Sequence, residues 1–193
     1  MVSFASEKNK FINKKIKLGY FGVLEEKNRG IEDLIESILK YDNYELHIVG
    51  YGPLEQYIIS KSIDTRIIYH GVMKSQDGLN IMNNMDIIVG MYYKTIPNHL
   101  FAAPNKYFEH LMLGKAFLTT SAIPPGIKTV KFNTGWAINE GTKNIDDFLE
   151  NLTLDQILLK SNNASKIWNS NFRDYYNKIY EGVYGSKVVS LLN

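Results

Sequence analysis

From residue 16 onward the chain alternates short, almost wholly apolar runs with stretches in which apolar residues recur every three and four positions. The runs at 16–24, 44–49, 66–69, 86–91, 116–120 and 135–138 predict strands that are buried on both faces. Between them, Ile31, Leu34, Ile35, Ile38 and Leu39 share one side of a predicted helix with Gly30 at its entrance. A second helix is expected to open on Pro53, and a short one is expected over 79–85. A loop over 92–103 leads into a helix that starts at Pro104 and stops at Gly114. Beyond residue 144 the pattern is helical. Phe172, Tyr175, Tyr176, Ile179, Tyr180, Val183 and Tyr184 form a stripe at helical spacing there, expected to be core or to be shared in part with a partner.

Strands without polar alternation, separated by helices, predict an α/β fold: a Rossmann-like parallel sheet of about six strands with helices on both faces, plus C-terminal helices. The expected division is a polar lead-in over 1–15, a Rossmann-like domain over 16–143, and a helical segment over 144–193 that packs on it or crosses from it. Ligands of such sheets lie beyond the carboxyl ends of the strands, where loops meet helix N-termini. The stretches 23–30, 50–53, 70–74 and 101–109 should converge at that edge.

Composition narrows the classes. The 22 Lys and Arg against 20 Asp and Glu leave a formal charge of only +2, too even for a nucleic-acid binder. Without cysteine there is no disulfide and no Cys-based zinc site. No apolar run approaches the roughly 18 residues of a membrane span, so a cytoplasmic location is expected. Lys8, Lys10, Lys14, Lys15 and Lys17 near the N-terminus read as a solvated linker rather than a lipid-binding arm.

The polar chemistry gathers in the stretch 101–120. Within the helix that follows Pro104, Phe108, Leu111 and Met112 are expected to face the core and Asn105, Lys106 and Glu109 the other side, in solvent. A helix N-terminus offers free N–H groups and partial positive charge, so Lys106 suits a phosphate there and Glu109 suits sugar hydroxyls. The same residues also describe an ordinary amphipathic helix with a solvated face. Gly50 and Gly52 would let backbone approach a ligand, or simply serve a tight strand–helix turn. His70 reads as structural, because no carboxylate or second ligand lies near it in sequence. His47, His99 and His110 show no metal spacing, so no metal site is expected. Glu25 and Glu26, beside Lys27, look like solvated loop charge.

The order of these pieces carries a resemblance. The strand ending in Gly22-Val23-Leu24 with Arg29-Gly30 beyond it, Ile48-Val49-Gly50-Tyr51-Gly52-Pro53-Leu54, Tyr69-His70-Gly71-Val72, Asp86-Ile87-Ile88, and Pro104-Asn105-Lys106-Tyr107-Phe108-Glu109 with Gly114-Lys115 follow one another. Together they resemble the C-terminal half of a retaining family-four glycosyltransferase of the two-Rossmann-domain (GT-B) type, over roughly residues 16 to 170. In that family this half binds the nucleotide-sugar donor and the other half binds the acceptor.

The resemblance implies that Glu109 holds the ribose, that Arg29 and Lys106 hold the diphosphate, and that the backbone near Gly50, Gly52 and from His70 to Met73 meets the base. Asn105 joins them at the helix N-terminus. The family's other glutamate falls on Phe101 and its loop arginine on Val23, with Lys106 the expected replacement for the missing cation. No catalytic side chain is assigned. The implied ligand is a nucleoside-diphosphate sugar, a UDP- or GDP-sugar, with no metal or other cofactor. The implied partner is an acceptor-binding domain or separate chain, with peripheral contact at the inner membrane face compatible with the pattern. Two other readings stay open: a non-catalytic nucleotide-sugar-binding subunit, and an epimerase-like sugar-nucleotide enzyme.

Overall fold

The computed structural model describes residues 15–175. Its strands are β1 (Ile16–Phe21), β2 (Tyr44–Val49), β3 (Ile67–Tyr69), β4 (Ile87–Gly90), β5 (Ala116–Thr120) and β6 (Gly135–Ile138). They form one sheet, all neighbours parallel, in the order β3-β2-β1-β4-β5-β6. The helices are α1 (Ile31–Ile38), α2 (Glu55–Lys61), α3 (Ser75–Met82), α4 (Asn105–Leu113), α5 (Pro124–Lys131), α6 (Thr142–Glu150) and α7 (Leu154–Ile167). A 3₁₀ turn over Pro97–Phe101 interrupts the loop before α4.

The expected double cover is present. Leu18, Tyr20, Leu46, Ile48, Ile87, Val89 and Leu118 meet α1, α2 and α6 on one face, through Ile31, Ile35, Ile58, Ile145 and Leu149. Val49, Ile88 and Phe117 meet α3, α4 and α7 on the other, through Met82, Tyr107, Leu111 and Ala164. Each strand therefore needs apolar residues at successive positions, because both of its faces leave water.

Two helix starts differ from those expected. The predicted helix over 79–85 begins at Ser75 instead. Gln76-Asp77-Gly78 has turn-like composition, but Gly78 is buried where an added Cβ would strike the Phe21 ring at 2.5 Å, so close helix–strand contact overrides the local signal. The helix predicted to open on Pro53 begins at Glu55.

In α4 the buried face is Tyr107, His110 and Leu111, while Phe108 and Met112 are 37% and 42% exposed. His110 takes the core position because its ring lies flat on Phe117, 4.6 Å between centroids, and its Nδ1 meets the Lys115 carbonyl at 2.9 Å. Phe108 turns toward Phe172 instead, at 5.5 Å. Of the C-terminal aromatic stripe, Phe172 is half-buried and Tyr175 exposed; Tyr176 and the rest lie outside the described residues, as does the lead-in before Lys15.

Burial holds the imidazole of His110 down at about 4. A histidine whose folded pKa lies below its unfolded value of 6.5 stabilises the neutral form of the fold, so that stability is lost as pH falls from 6.5 toward 4. Urea unfolding at pH 7 and pH 4.5 should show the wild type losing about 2 kcal/mol more than His110→Phe. Equal losses in the two proteins would rule this out.

Candidate active-site cleft

The strand order places β1 beside β4, with the chain leaving β1 toward β2 on one side and β4 toward β5 on the other. Loops diverge at the carboxyl ends of such a pair and leave a crevice between them. Here the crevice is a cleft of about 680 Å³, walled by the end of β1, the loop that follows it, the loop over 92–103 and the first turn of α4.

Lys106, on that first turn, extends back over the end of β1. Its ammonium lies 4.7 Å from the centre of the Tyr20 ring, against Gly22, where an added Cβ would come within 2.5 Å of Nζ. The protein surrounds the ammonium although the residue as a whole keeps some exposed surface. Burial lowers its pKa to about 8, against a smaller opposing pull from Glu109. Among the described residues it makes no ion pair within 4 Å. Pro104 precedes α4 in extended conformation with no side-chain cap; the Tyr107 N–H donates to the Pro104 carbonyl at 3.1 Å, and the N–H groups of Asn105 and Lys106 remain available.

Arg29 enters from the loop after β1. Its Nε and Nη2 bind the two carboxylate oxygens of Glu25 at 3.2 and 3.1 Å, and its guanidinium lies 4.9 Å from the centre of the Tyr92 ring. Nη1 makes no hydrogen bond among the described residues. Burial works against the Arg29 charge, and the Glu25 carboxylate together with Tyr20 and Tyr92 more than offsets it. Glu25 is therefore a structural partner lining the cleft, not the solvated loop charge that its neighbours in sequence suggested.

Glu109 sits one helical turn behind Lys106, half-buried in the wall rather than facing open solvent. Burial raises its pKa, with Lys106 opposing. Burial also pushes up the phenols of Tyr20 and Tyr92, so both are neutral; the Tyr20 hydroxyl donates to the Val23 carbonyl at 2.7 Å.

Arg29, Asn105, Lys106 and Glu109 thus share one cleft, with Ser75 at its edge. Gly50, Gly52, His70 and Met73 do not line it. Gly50, at φ 148°, lies under the end of β1, where a Cβ would collide with the Gly22 carbonyl; Gly52 lies against Leu24 backbone. Gly50→Ala should lower thermal stability by about 1–3 kcal/mol; an unchanged melting temperature would contradict this.

His70 has the second group that its sequence neighbourhood lacks: its Nε2 is 3.0 Å from Nδ1 of His47, across the β2–β3 pair. Met73 is partly buried and packs against the core cluster on one face of the sheet. Among the described residues no group of three His, Asp or Glu side chains is placed to hold a metal. No described helix is long and apolar enough to cross a membrane. Phe101 is 80% exposed outside the cleft, in a small groove with Pro124, Pro125 and Lys128. Sequence reasoning passed over Tyr20, Tyr92 and His99 as wall residues. Tyr20 lies in an apolar run that reads as a buried strand and Tyr92 opens the loop after one; their place at the carboxyl edge was the available signal.

No family model matches the sequence, and no curated protein matches it. Solved structures do match. The C-terminal domain of a glycosyl transferase group 1 family protein, LpcC, from Francisella tularensis aligns over 86% of this chain and 90% of that one, at 20% identity and a TM-score of 0.64. WaaG, a glycosyltransferase involved in lipopolysaccharide biosynthesis, aligns over 86% of this chain at 15% identity and a TM-score of 0.63. HepE of Anabaena, solved in complex with UDP-glucose, aligns over 94% at 16% identity and a TM-score of 0.67. This chain spans only 46% of WaaG and 51% of HepE. The chain has the fold of the C-terminal domain of a GT-B glycosyltransferase.

Proposed function

We propose that this domain binds the nucleoside-diphosphate sugar of a retaining glycosyl transfer in glycan or polysaccharide synthesis. The observation that carries the reading is Lys106, an ammonium held inside a cleft without an ion-pair partner, beside Arg29 and an uncapped helix N-terminus. A buried cation without a counter-charge is costly unless an anion arrives to meet it. Lys106 and the free Nη1 of Arg29 hold the diphosphate, and Glu109 accepts from the ribose hydroxyls.

In the transfer step the bond from the anomeric carbon to the diphosphate oxygen breaks, and charge grows on that oxygen. Cations already fixed in place stabilise that charge without reorganising. The likeness to HepE makes UDP and UDP-glucose the first ligands to test. The acceptor site belongs to a further domain or chain, since this chain spans about half of WaaG and HepE.

A thermal-shift panel of UDP, GDP, ADP and their sugars tests the binding. A ligand at a hundred times its dissociation constant adds about 2.7 kcal/mol, a rise of roughly 5–10 °C for a domain of this size. No shift with any of them would end this reading. The same chain incubated with its donor should show no transfer to an acceptor until an acceptor-binding chain is supplied, because acceptor positioning and exclusion of water both come from that second body. Turnover of the donor to an isomer without any acceptor would instead identify an epimerase-like enzyme.

A further inference from the structure

His99 belongs to the cleft but has no part in holding the diphosphate or the ribose. It sits in the 3₁₀ turn, 6% exposed, with its ring edge-on to Tyr92 at 5.5 Å. Its Nδ1 lies 2.8 Å from the backbone carbonyl of Tyr93. A carbonyl can only accept, so Nδ1 carries the hydrogen and the neutral ring is left with a lone pair on Nε2. Among the described residues Nε2 has no hydrogen-bond partner. The residue lines the cleft beside Tyr92, Ile96 and Asn98.

The ring cannot easily turn away from this task. Tyr93 is anchored on both sides: its backbone N–H donates to the Asn28 carbonyl at 2.9 Å, and its hydroxyl donates to Asp33 at 2.5 Å. Tyr92 is fixed in turn by its N–H bond to Thr120 Oγ1 at 2.9 Å. The imidazole is therefore a preset acceptor on a rigid wall.

The two carboxylates of the cleft are committed, and Ser75, Asn98 and Asn105 offer hydroxyl or amide oxygens beside the imidazole. Glu25 is tied to Arg29 through both of its oxygens, and Glu109 is assigned to the ribose. Phe101 points out of the cleft altogether. The part of the ligand beyond the diphosphate presents hydroxyls as donors, and a lone pair on a ring held in one orientation suits them. Resting on the reading above, we propose that His99 Nε2 accepts a hydrogen bond from a hydroxyl of the donor's glycosyl group, and so makes His99 a specificity-determining residue.

The test uses His99→Asn. Asparagine keeps a donor near the position of Nδ1, and so keeps the bond to the Tyr93 carbonyl, while it removes Nε2. Binding of UDP, GDP, UDP-glucose, UDP-galactose, UDP-N-acetylglucosamine and GDP-mannose to both proteins is measured by calorimetry. The expected result is that at least one sugar nucleotide binds the wild type more tightly than its parent diphosphate. His99→Asn should erase that advantage, a loss of about three- to tenfold, and leave diphosphate affinity within about twofold. His99→Gln, whose amide oxygen reaches nearer to Nε2, should recover part of the advantage. Equal weakening of diphosphate and sugar nucleotide, or no sugar-dependent advantage in the wild type, overturns the proposal while leaving the diphosphate site standing. Failure of the wild type to bind any diphosphate overturns both.

Discussion

Lys106→Met is expected to stabilise the empty protein and to ruin its affinity for a nucleoside diphosphate. Burial lowers the Lys106 pKa from 10.5 to about 8. At neutral pH the fold thus carries a penalty for the charge of about 3 kcal/mol, while methionine keeps the aliphatic stem without it. Because the folded pKa lies below the unfolded one, the penalty is fully present below pH 8 and fades as pH rises from 8 to 10.5. The stability advantage of the variant should shrink over that interval.

Binding should move the other way. Loss of a charge-assisted contact costs about 1.5–3 kcal/mol, or roughly 10- to 150-fold for UDP, and less for UMP, which lacks the outer phosphate. Wild-type affinity for UDP should also fall above pH 8, as the ammonium discharges, and the variant's should not. Urea unfolding and calorimetric titration across pH measure both halves. A variant that binds UDP as the wild type does, or that is less stable at pH 7, would remove Lys106 from the site.

The second large effect is expected at Glu109. Glu109→Ala should weaken UDP by about 1.5–3 kcal/mol, the cost of losing a carboxylate that accepts from two vicinal hydroxyls. A 2′,3′-dideoxy analogue offers no such hydroxyls, so wild type and variant should bind it alike. If the variant binds UDP normally, or loses the dideoxy analogue equally, the ribose assignment fails.

The fold should not suffer. Burial raises the folded pKa of Glu109, so the carboxylate opposes folding at neutral pH, and that opposition is relieved as pH falls through the folded value toward the ordinary 4.5. Glu109→Gln should accordingly be no less stable than the wild type at pH 7. This differs from the expectation for a side chain in open solvent, where no change in either direction would follow.

The sequence alone determined what local physics controls. Runs such as Tyr44–Val49 and Ala116–Thr120 have no polar face, so they can only be strands inside a covered sheet, and their bounds agree with the structure. Gly114, in the left-handed conformation at φ 63°, ends α4 where expected. Asn105, Lys106 and Glu109 were legible as a group because helical spacing brings them together at a helix N-terminus, and the stretch that carries Arg29 was expected at the same edge of the sheet, with Arg29 itself picked out by the resemblance.

Only the tertiary structure decided the rest. Whether Tyr107 or Phe108 enters the core depends on the angle at which α4 meets Phe117 and α7, and both choices satisfy helical periodicity. That Glu25 serves Arg29 rather than water follows from the path of one loop. Tyr20, Tyr92 and His99 become walls of one cleft because β1 and β4, distant in sequence, lie side by side. The depressed pKa of Lys106 has the same origin: desolvation depends on every atom packed around the ammonium, and no spacing along the chain encodes that sum.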